Sequence, residues 1–509
     1  MPELESLSRD ELIVLAREQA AVIARQDARI AAMAGQLDEL MARFEETAEK
    51  LAKLEHLLSR NSSNSSWPSS KDGGPGGSVP PRKERRAKPG GRGKGKQPGA
   101  PGSALRWSED PTAREDRFPE GPCGCGADLS DATDLGAVDR YQQWEIPLVT
   151  VAVTQYDQHA VACRCGKVHT AARPQGSGTG QVEYGPQLRA FAVYLMVMHF
   201  VPVARCREIL TSLTGAEPST GFVHGLLARA AALLSGADKV IRTLIALAVA
   251  VCCDETPLKV GPATPAEGKS EAKGYLLVAC TELYTHFLLG DRSLDTFKAF
   301  VFTELDPESV IVHDRYQNYD STQLGSLKHQ LCLAHVLRDL ASAAELYPDQ
   351  PWPTQLTAEI RHLIHFANAA RERGEASLPQ AARSLGVSGL RAAVALGLHH
   401  TADLDDTRPG ARKTRLLLEA FRQREDDFLR FTTDLRIPPT SNQAERDLRP
   451  SKIQEKISGR LTDLARAADR YTIRGVLSTA TKHAVNPLTV LRNAFAGTVW
   501  LPPAAAALT

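Results

Sequence analysis

The sequence predicts a multidomain α/β protein with an N-terminal coiled coil, a small cysteine-rich module, a helical domain and an α/β core that carries an all-helical insertion. Three observations support this fold class. A seven-residue apolar repeat runs through residues 8–60, two Cys-x-Cys pairs follow a basic stretch, and strand-like runs alternate with helical spacing from residue 246. The 509 residues are enough for roughly three domains, and 42% hydrophobic with 24% charged residues is typical of a soluble globular chain.

Residues 8–60 are predicted to form one long helix. Apolar side chains recur seven residues apart over five heptads, at Ile23, Ile30, Leu37, Phe44, Leu51 and Leu58. A repeat of this length is what the seam of a leucine zipper-like coiled coil requires, so we expect self-association or a helical partner. The alternative is an amphipathic helix packed on its own domain.

Residues 61–114 are predicted to be a disordered basic linker, because their Ser-, Pro- and Gly-rich composition cannot bury a core. Residues 82–96 hold eight Lys or Arg against one Glu, a local charge of +7. The whole chain carries +1, so the rest must sum to 1 − 7 = −6. Such a concentrated charge indicates an anionic partner such as nucleic acid, although a merely solvated linker is the alternative.

Residues 115–172 are predicted to form a zinc-binding module that resembles a zinc ribbon. Two short pairs supply four thiolates, enough to close a tetrahedral site, at Cys123, Cys125, Cys163 and Cys165. Residues 141–157 alternate as strands would, and a module with so little core would need structural Zn²⁺ to fold. Both pairs are one residue shorter than Cys-x-x-Cys, with His159 and His169 as substitute ligands, and four unligated cysteines are the alternative. Nine cysteines without a secretion signal argue against a disulfide scaffold.

Residues 185–245 are predicted to be helical, with the shape of a helix-turn-helix over 205–230. A second helix capped by Ser219 or Thr220 could enter the major groove of DNA, although such hairpins also occur in plain bundles.

No segment is predicted to span a membrane, because the longest uncharged stretches, such as 243–253, have only 11 residues. The acidic N-terminus is unlike a signal peptide, so we expect a cytoplasmic location.

From residue 246 the pattern becomes α/β. Strands are predicted over 246–253, 275–280, 285–289 and 309–312, with a helix over 294–302 between the third and fourth. Three strands, a helix and a fourth strand are the order of a ribonuclease H-like core. Its first part is predicted over 246–350, a helical insertion over 351–437, its second part over 438–496 and a tail over 497–509.

Asp254 and Asp314 each follow an apolar run, and we expect both at the carboxyl ends of strands, where open α/β sheets bind ligands. Two carboxylates there can hold one or two Mg²⁺ ions, which prefer oxygen ligands and assist phosphoryl displacement. Glu445 is the candidate third carboxylate, near the start of a helix that follows Pro438 and Pro439. On pattern alone three rival acids stay open, namely Asp295, Asp320 and Asp447.

Positive side chains beside Glu445 are candidates for contacts with DNA phosphate, namely Arg446, Arg449 and Lys452. A second cluster, His329, Cys332 and His335, has a spacing that could converge on a metal if a strand runs into a helix there. The alternative, which the pattern favours, is that Cys332 belongs to the core and that His335 is a helix residue.

Several motifs together resemble the transposases of the insertion sequence 66 group, over nearly the whole chain. The Asn/Ser-rich stretch after residue 58 and the two cysteine pairs are similar to that family's linker and zinc knuckles. Asp254-Glu255-Thr256-Pro257 and His313-Asp314-Arg315-Tyr316 resemble its two aspartate motifs, although the family more often has Gly where Arg315 stands. The most specific resemblance, to its glutamate motif, runs from Asn442 through Glu445 to Pro450. Cys332 and His335 resemble a Cys-x-x-His pair found before the glutamate in several such transposases.

The resemblance implies an Asp-Asp-Glu site of Asp254, Asp314 and Glu445 in a ribonuclease H-like domain interrupted by a helical insertion. It implies cleavage of the element's ends that depends on two Mg²⁺ or Mn²⁺ ions, followed by attack of a freed 3′ hydroxyl on target DNA. The implied partners are double-stranded DNA, further copies of the chain joined through the coiled coil, and accessory proteins of the same element, in the nucleoid. The competing hypotheses are a non-enzymatic DNA-binding protein derived from a decayed transposase, and a nuclease on the same core.

Overall fold

The computed structural model of the protein describes residues 106–504, apart from 147–148, 179, 266, 268–271, 403–407 and 409, together with isolated positions between residues 8 and 33. The described positions from 9 to 33 are helical. Most of the predicted coiled coil, and of the linker up to residue 105, lies outside the described residues. Of the helices that are described, none combines the length and the apolar character needed to cross a membrane.

The chain divides into two compact units, of which the smaller comprises Pro81–Thr154 and Ser212–Ala216. The strands predicted over 141–157 were wrong, because the described residues of this segment form no strand. Its apolar side chains stay open to solvent, with Tyr141 83% and Ile146 81% exposed. Alternation alone does not make a strand, since the backbone also needs a neighbouring strand to pair with.

After residue 155 the chain forms a short antiparallel hairpin, β1 (Ala160–Ala162) and β2 (Val168–Thr170), which encloses Cys163 and Cys165. Three helices follow, α1 (Pro186–Met198), α2 (Val203–Thr214) and α3 (Thr220–Ala246). Ser219 caps α3 by accepting a hydrogen bond from the Phe222 N–H at 3.1 Å.

A five-stranded mixed sheet forms the centre of the larger unit. Its strands are β3 (Ala250–Leu258), β4 (Gly274–Cys280), β5 (Thr285–Gly290), β6 (Val310–His313) and β7 (Lys328–Leu331). The spatial order is β5-β4-β3-β6-β7, with β3, β4 and β5 antiparallel and β6 and β7 running parallel to β3. A short helix, α4 (Leu294–Ala299), lies between β5 and β6 in the chain.

The remaining helices are α5 (Leu333–Leu346), α6 (Trp352–Glu372), α7 (Gln380–His400), α8 (Ala411–Gln423), α9 (Glu425–Leu429), α10 (Asn442–Ser458), α11 (Leu464–Lys482) and α12 (Pro487–Phe495). Successive residues of β3 point to opposite faces of the sheet, so Cys252 belongs to one core and Cys253 to another. The first core also contains buried residues of α5 to α10, and we call this side of the sheet the insertion face. The predicted insertion, 351–437, thus shares a continuous apolar core with the sheet.

Candidate active site

The pairing of β3 with β6 brings Asp254 and Asp314 to the same level of the sheet. The two strands are parallel, with Ala250 opposite Val310 and Cys252 opposite Val312, an offset of 310 − 250 = 60 residues. The same offset places Asp314, which directly follows β6, level with Asp254. The prediction that Asp254 ends a strand was wrong, since β3 continues to Leu258 through its antiparallel pairing with β4.

Helix α10 runs alongside β3 in the same direction and carries Glu445 in its first turn. At its start, the Cys252 thiol lies 3.9 Å from the Thr440 carbonyl oxygen. Further on, Lys452 Nζ donates to the Pro257 carbonyl, and the Lys259 N–H donates to Glu455 Oε1 at 2.6 Å.

These contacts place Glu445 level with Asp254. Seven residues back from Lys452 is about 10 Å along a helix, and three residues back from Pro257 is about 10 Å along a strand. Asp254 also shares the face of β3 with Cys252, the face that α10 covers. The three acids therefore lie at about the level where β6 ends, four residues before the end of β3, on three separate segments of chain.

The charges around Asp254 are unfavourable for a lone carboxylate. Burial, together with the negative charges of Glu255 and Asp314, raises the pKa of Asp254 well above its ordinary value, against the opposing effect of His335. Burial and the charge of Asp314 likewise raise the pKa of Glu255. A cation placed among these groups would lower the pKa of both acids, because it would favour their ionised forms.

Glu255, which sequence reasoning did not single out, is already partnered. Its carboxylate accepts hydrogen bonds from Arg292 Nη2 at 2.7 Å and from the Tyr319 hydroxyl at 2.9 Å. Arg292 in turn lies over the ring of Tyr316, with its guanidinium carbon 4.4 Å from the ring centroid. Glu255 therefore has its own cation on the face of β3 opposite Asp254.

Glu445 is paired with a residue that the motifs did not indicate. Arg338 Nη2, on α5, donates to Glu445 Oε1 at 2.6 Å. The only group of three metal-ligating side chains within 4.8 Å of one another in the described part of the chain is His313, Asp320 and His329. The carboxylate oxygens of the three candidate acids therefore do not all lie within 4.8 Å of one another.

The rival acids each have another explanation. Asp295 is 95% exposed in the first turn of α4, and Asp320 forms a two-pronged ion pair with Arg424, both contacts at 2.9 Å. Asp447 is nearly buried, where its carboxylate accepts from Lys482 Nζ at 2.9 Å and from Thr285 Oγ1 at 2.8 Å. Within α10, Asp447 therefore holds the helix to α11 and β5, whereas Glu445 contacts Arg338 of α5.

The residues of the predicted His-x-x-Cys-x-x-His cluster do not converge. His329 Nδ1 lies on β7, 3.0 Å from His313 Nε2, whereas Cys332 and His335 lie at the start of α5. Strand β7 directs His329 toward β6, and the chain then turns into the helix.

Cys332 instead connects two of the segments that carry the candidate acids, those of Asp314 and Glu445. Its N–H donates to the His313 carbonyl at 2.7 Å, one residue before Asp314. Its sulfur accepts from the Ser441 N–H at 3.3 Å, four residues before Glu445. Although burial raises the pKa of Cys332, its contacts with His335 and Ser441 outweigh burial and lower that pKa to about 7.

We expect Cys332 to titrate near pH 7 in the folded protein. Thiolate absorbance at 240 nm, recorded from pH 5 to pH 10 for the wild type and for Cys332→Ser, isolates this thiol because the other eight cysteines cancel in the difference. A difference curve with its midpoint near pH 7 is expected, since the thiolate predominates above the lowered pKa. A midpoint near pH 9 would show that His335 and Ser441 do not stabilise the thiolate.

The candidate DNA-binding side chains of α10 have different environments. Arg446 and Arg449 are exposed. The Lys452 ammonium is held by the Pro257 carbonyl of β3 and lies 3.6 Å from Glu455. Two of the three positive charges therefore face solvent beside Glu445.

The cysteine pairs form two turns with the same hydrogen bonds. The Cys123 N–H donates to the Ala127 carbonyl at 2.8 Å, and the Cys163 N–H donates to the Lys167 carbonyl at 2.8 Å. All four thiols are exposed. Backbone hydrogen bonds, of Ala127 for Cys125 and of Cys165 for Cys163, are the main cause that lowers the pKa of these two thiols.

Residues 181–468, more than half of the chain, match the model of the family described as Transposase IS66 family. This match spans all three candidate acids and confirms the family that the motifs indicated. Residues 2–106 match a second model, described as a family of unknown function (DUF6444). Among curated proteins, none matches the chain.

Proposed function

Because the chain belongs to the IS66 family of insertion-sequence transposases, we propose that it cleaves the ends of its element and joins them to target DNA with Asp254, Asp314 and Glu445 as the catalytic carboxylates. The observation that carries this proposal is the alignment of the three acids. The β3–β6 register puts Asp314 at the same height in the sheet as Asp254. The contacts of α10 along β3 put Glu445 at about that height as well. We further propose that the sheet and its helices are a ribonuclease H-like core.

The donor set fits Mg²⁺ or Mn²⁺. All three candidate ligands are carboxylates, the hard oxygen donors that these ions prefer. The pKa of Asp254 is raised by burial and by neighbouring negative charge. A divalent cation bound there would offset this negative charge. Bound there, a pair of such ions would supply charge stabilisation on both sides of the phosphorus in an in-line displacement.

The chain's own residues then have distinct roles. Asp254 and Asp314 would hold the cations from adjacent strands, and Glu445 would complete the set from α10. The Tyr316 N–H donates to Asp314 Oδ1 at 2.8 Å and so fixes the orientation of that carboxylate. Arg446 and Arg449, exposed beside Glu445, would bind DNA phosphates. Helix α3 and the basic linker are the proposed further contacts with double-stranded DNA.

Outside the catalytic core we propose two assembly features. The heptads of residues 8–60 would join copies of the chain, which a transposase needs in order to bring two element ends together, and accessory proteins of the same element are proposed partners. Structural Zn²⁺ is proposed at Cys123, Cys125, Cys163 and Cys165. The matching turns and the lowered pKa values of Cys125 and Cys163 support thiolate ligation.

Zinc analysis of the purified chain tests the cysteine proposal. We expect about one Zn²⁺ per chain, as in other four-thiolate structural sites, and a loss of most of it in Cys163→Ser. The buried Cys206→Ser variant is the matched control and should retain the metal. Equal zinc in both variants would rule out ligation by this pair.

The proposed activity is tested with labelled DNA that carries the element's ends. Mg²⁺ should permit cleavage at the ends, and EDTA should prevent it. A protein that binds the ends but does not cut them in Mg²⁺ or Mn²⁺ would be a DNA-binding protein without the enzyme activity.

A further inference from the structure

One face of helix α5 lies along the candidate active site. Cys332, His335 and Arg338 recur every three residues at and after its start, so their side chains follow one another along that face. Cys332 contacts Ser441, just before α10. His335 is close enough to Asp254 to lower that acid's pKa against the larger effect of burial. Arg338, the last of the three, contacts Glu445.

Arg338 has one partner outside its own helix in the described part of the chain, and that partner is Glu445. Its other hydrogen bond is a long contact of 3.4 Å from Nε to the Ala334 carbonyl. The pair joins Nη2 to Oε1 alone, whereas Arg391 and Glu425 on the insertion form a two-pronged pair at 2.7 and 2.6 Å. Solvent reaches both partners, with the Arg338 side chain 24% and the Glu445 side chain 35% exposed.

We propose that Arg338 is a resident counter-cation of Glu445 which a divalent metal ion displaces when it binds the three carboxylates. The inference rests on the proposed function, because it takes Glu445 to be a metal ligand. In the metal-free protein, the guanidinium neutralises the one acid of the three that approaches on a helix rather than from the sheet. The contact balances the charge of Glu445 until a divalent cation takes its place.

The charge and the position of the Arg338 guanidinium explain why a metal ion at Glu445 would displace it. Mg²⁺ binds carboxylate oxygen at about 2.0–2.1 Å and demands near-octahedral geometry. A guanidinium 2.6 Å from the same Oε1 repels that ion and occupies part of its coordination sphere. Arginine suits this role because its guanidinium is weakly hydrated and always charged, and it leaves for solvent through the exposed side of the pair. Arg338 therefore competes with the metal.

The test measures Mn²⁺ affinity of the full chain without DNA, by electron paramagnetic resonance of the free ion. Arg338→Gln removes the charge and should bind Mn²⁺ about tenfold more tightly than the wild type. Arg338→Met, which keeps an unbranched apolar stem, should do the same. Arg338→Lys retains the charge and should stay within about threefold of the wild type. Arg391→Gln, at the insertion pair, is the matched control and should leave the affinity unchanged.

Unchanged or weaker Mn²⁺ binding in the two neutral variants would overturn the inference, as would equal tightening in Arg338→Lys. Glu445→Gln separates this failure from failure of the proposed function. If Glu445→Gln weakens Mn²⁺ binding and Arg338→Gln does not strengthen it, only the role of Arg338 is wrong. If Glu445→Gln leaves Mn²⁺ binding unchanged, Glu445 is not a metal ligand and the proposed site is wrong.

Discussion

Replacing Asp254, Asp314 or Glu445 by the matching amide should lower cleavage of the element's ends by at least about 10³-fold, because each change removes a charged oxygen ligand worth several kcal/mol of transition-state stabilisation. Binding of the ends should persist, since the residues proposed to bind DNA are separate from the acids. The measurement compares gel-shift affinity and Mg²⁺-dependent cleavage on the same labelled ends.

The matched control for these variants is Asp295→Asn. Asp295, in the first turn of α4, is an acid of the same core, but its side chain is 95% exposed. It should cleave like the wild type. An amide variant at any of the three acids that retains normal Mg²⁺-dependent cleavage would remove that acid from the mechanism.

Replacing Lys482 by Met should destabilise the protein by about 3 kcal/mol, because it leaves the Asp447 charge buried without its cation. The two side chains are each only 12% exposed, and Lys482 also donates to the carbonyls of Thr281 and Tyr284. Equilibrium denaturation in urea, at a fixed protein concentration, measures the loss. The expected phenotype is lower stability rather than loss of the catalytic step.

Lys328→Met is the control for this change, because Lys328 and Glu308 form an exposed pair that should contribute less than about 1 kcal/mol. Asp447→Asn, in the same helix as Glu445, should also destabilise the protein, whereas Glu445→Gln should not. If Asp447→Asn abolished cleavage at full stability, Asp447 would replace Glu445 as the better candidate for the third carboxylate.

The placement of Asp254 and Asp314 beside apolar strands could be predicted from the sequence, because each follows a short buried run of apolar residues. The length of the strand that carries Asp254 could not be predicted. Whether β3 stops at Asp254 or continues to Leu258 depends on its pairing with β4, a contact between distant residues that leaves little local signal. The same limitation explains the strands wrongly predicted over 141–157, where apolar alternation has no pairing partner among the described residues.

Glu445 is a different case. Its helix start is readable from Pro438 and Pro439, but its position beside β3 arises from contacts across nearly 190 residues of chain, such as the one between Cys252 and Thr440. Only the resemblance of the motif singled it out in advance. Arg338 had a signal in its three-residue spacing from His335, yet nothing local indicates that Glu445 is its partner. The predicted coiled coil remains a prediction.

The insertion reaches the site through α5 as well as through the core. Asp339, next to Arg338, accepts a hydrogen bond from Lys413 of α8 at 2.5 Å and pairs with Arg315, the residue after Asp314. Arg315, which stands where the family more often has Gly, therefore has a charged partner in the structure. It gives the insertion a polar connection to the segment that carries the second aspartate.

We propose that Asp254, Asp314 and Glu445 together perform DNA strand transfer. The most direct measurement supplies element ends already cut to a 3′ hydroxyl, a plasmid target and Mg²⁺, and quantifies joined product for the wild type and for Glu445→Gln. We predict joined product with the wild type, none in EDTA, and none with Glu445→Gln although it still binds the ends. Equal joining by Glu445→Gln, or no joining by a wild-type protein that binds the ends, would contradict this proposal.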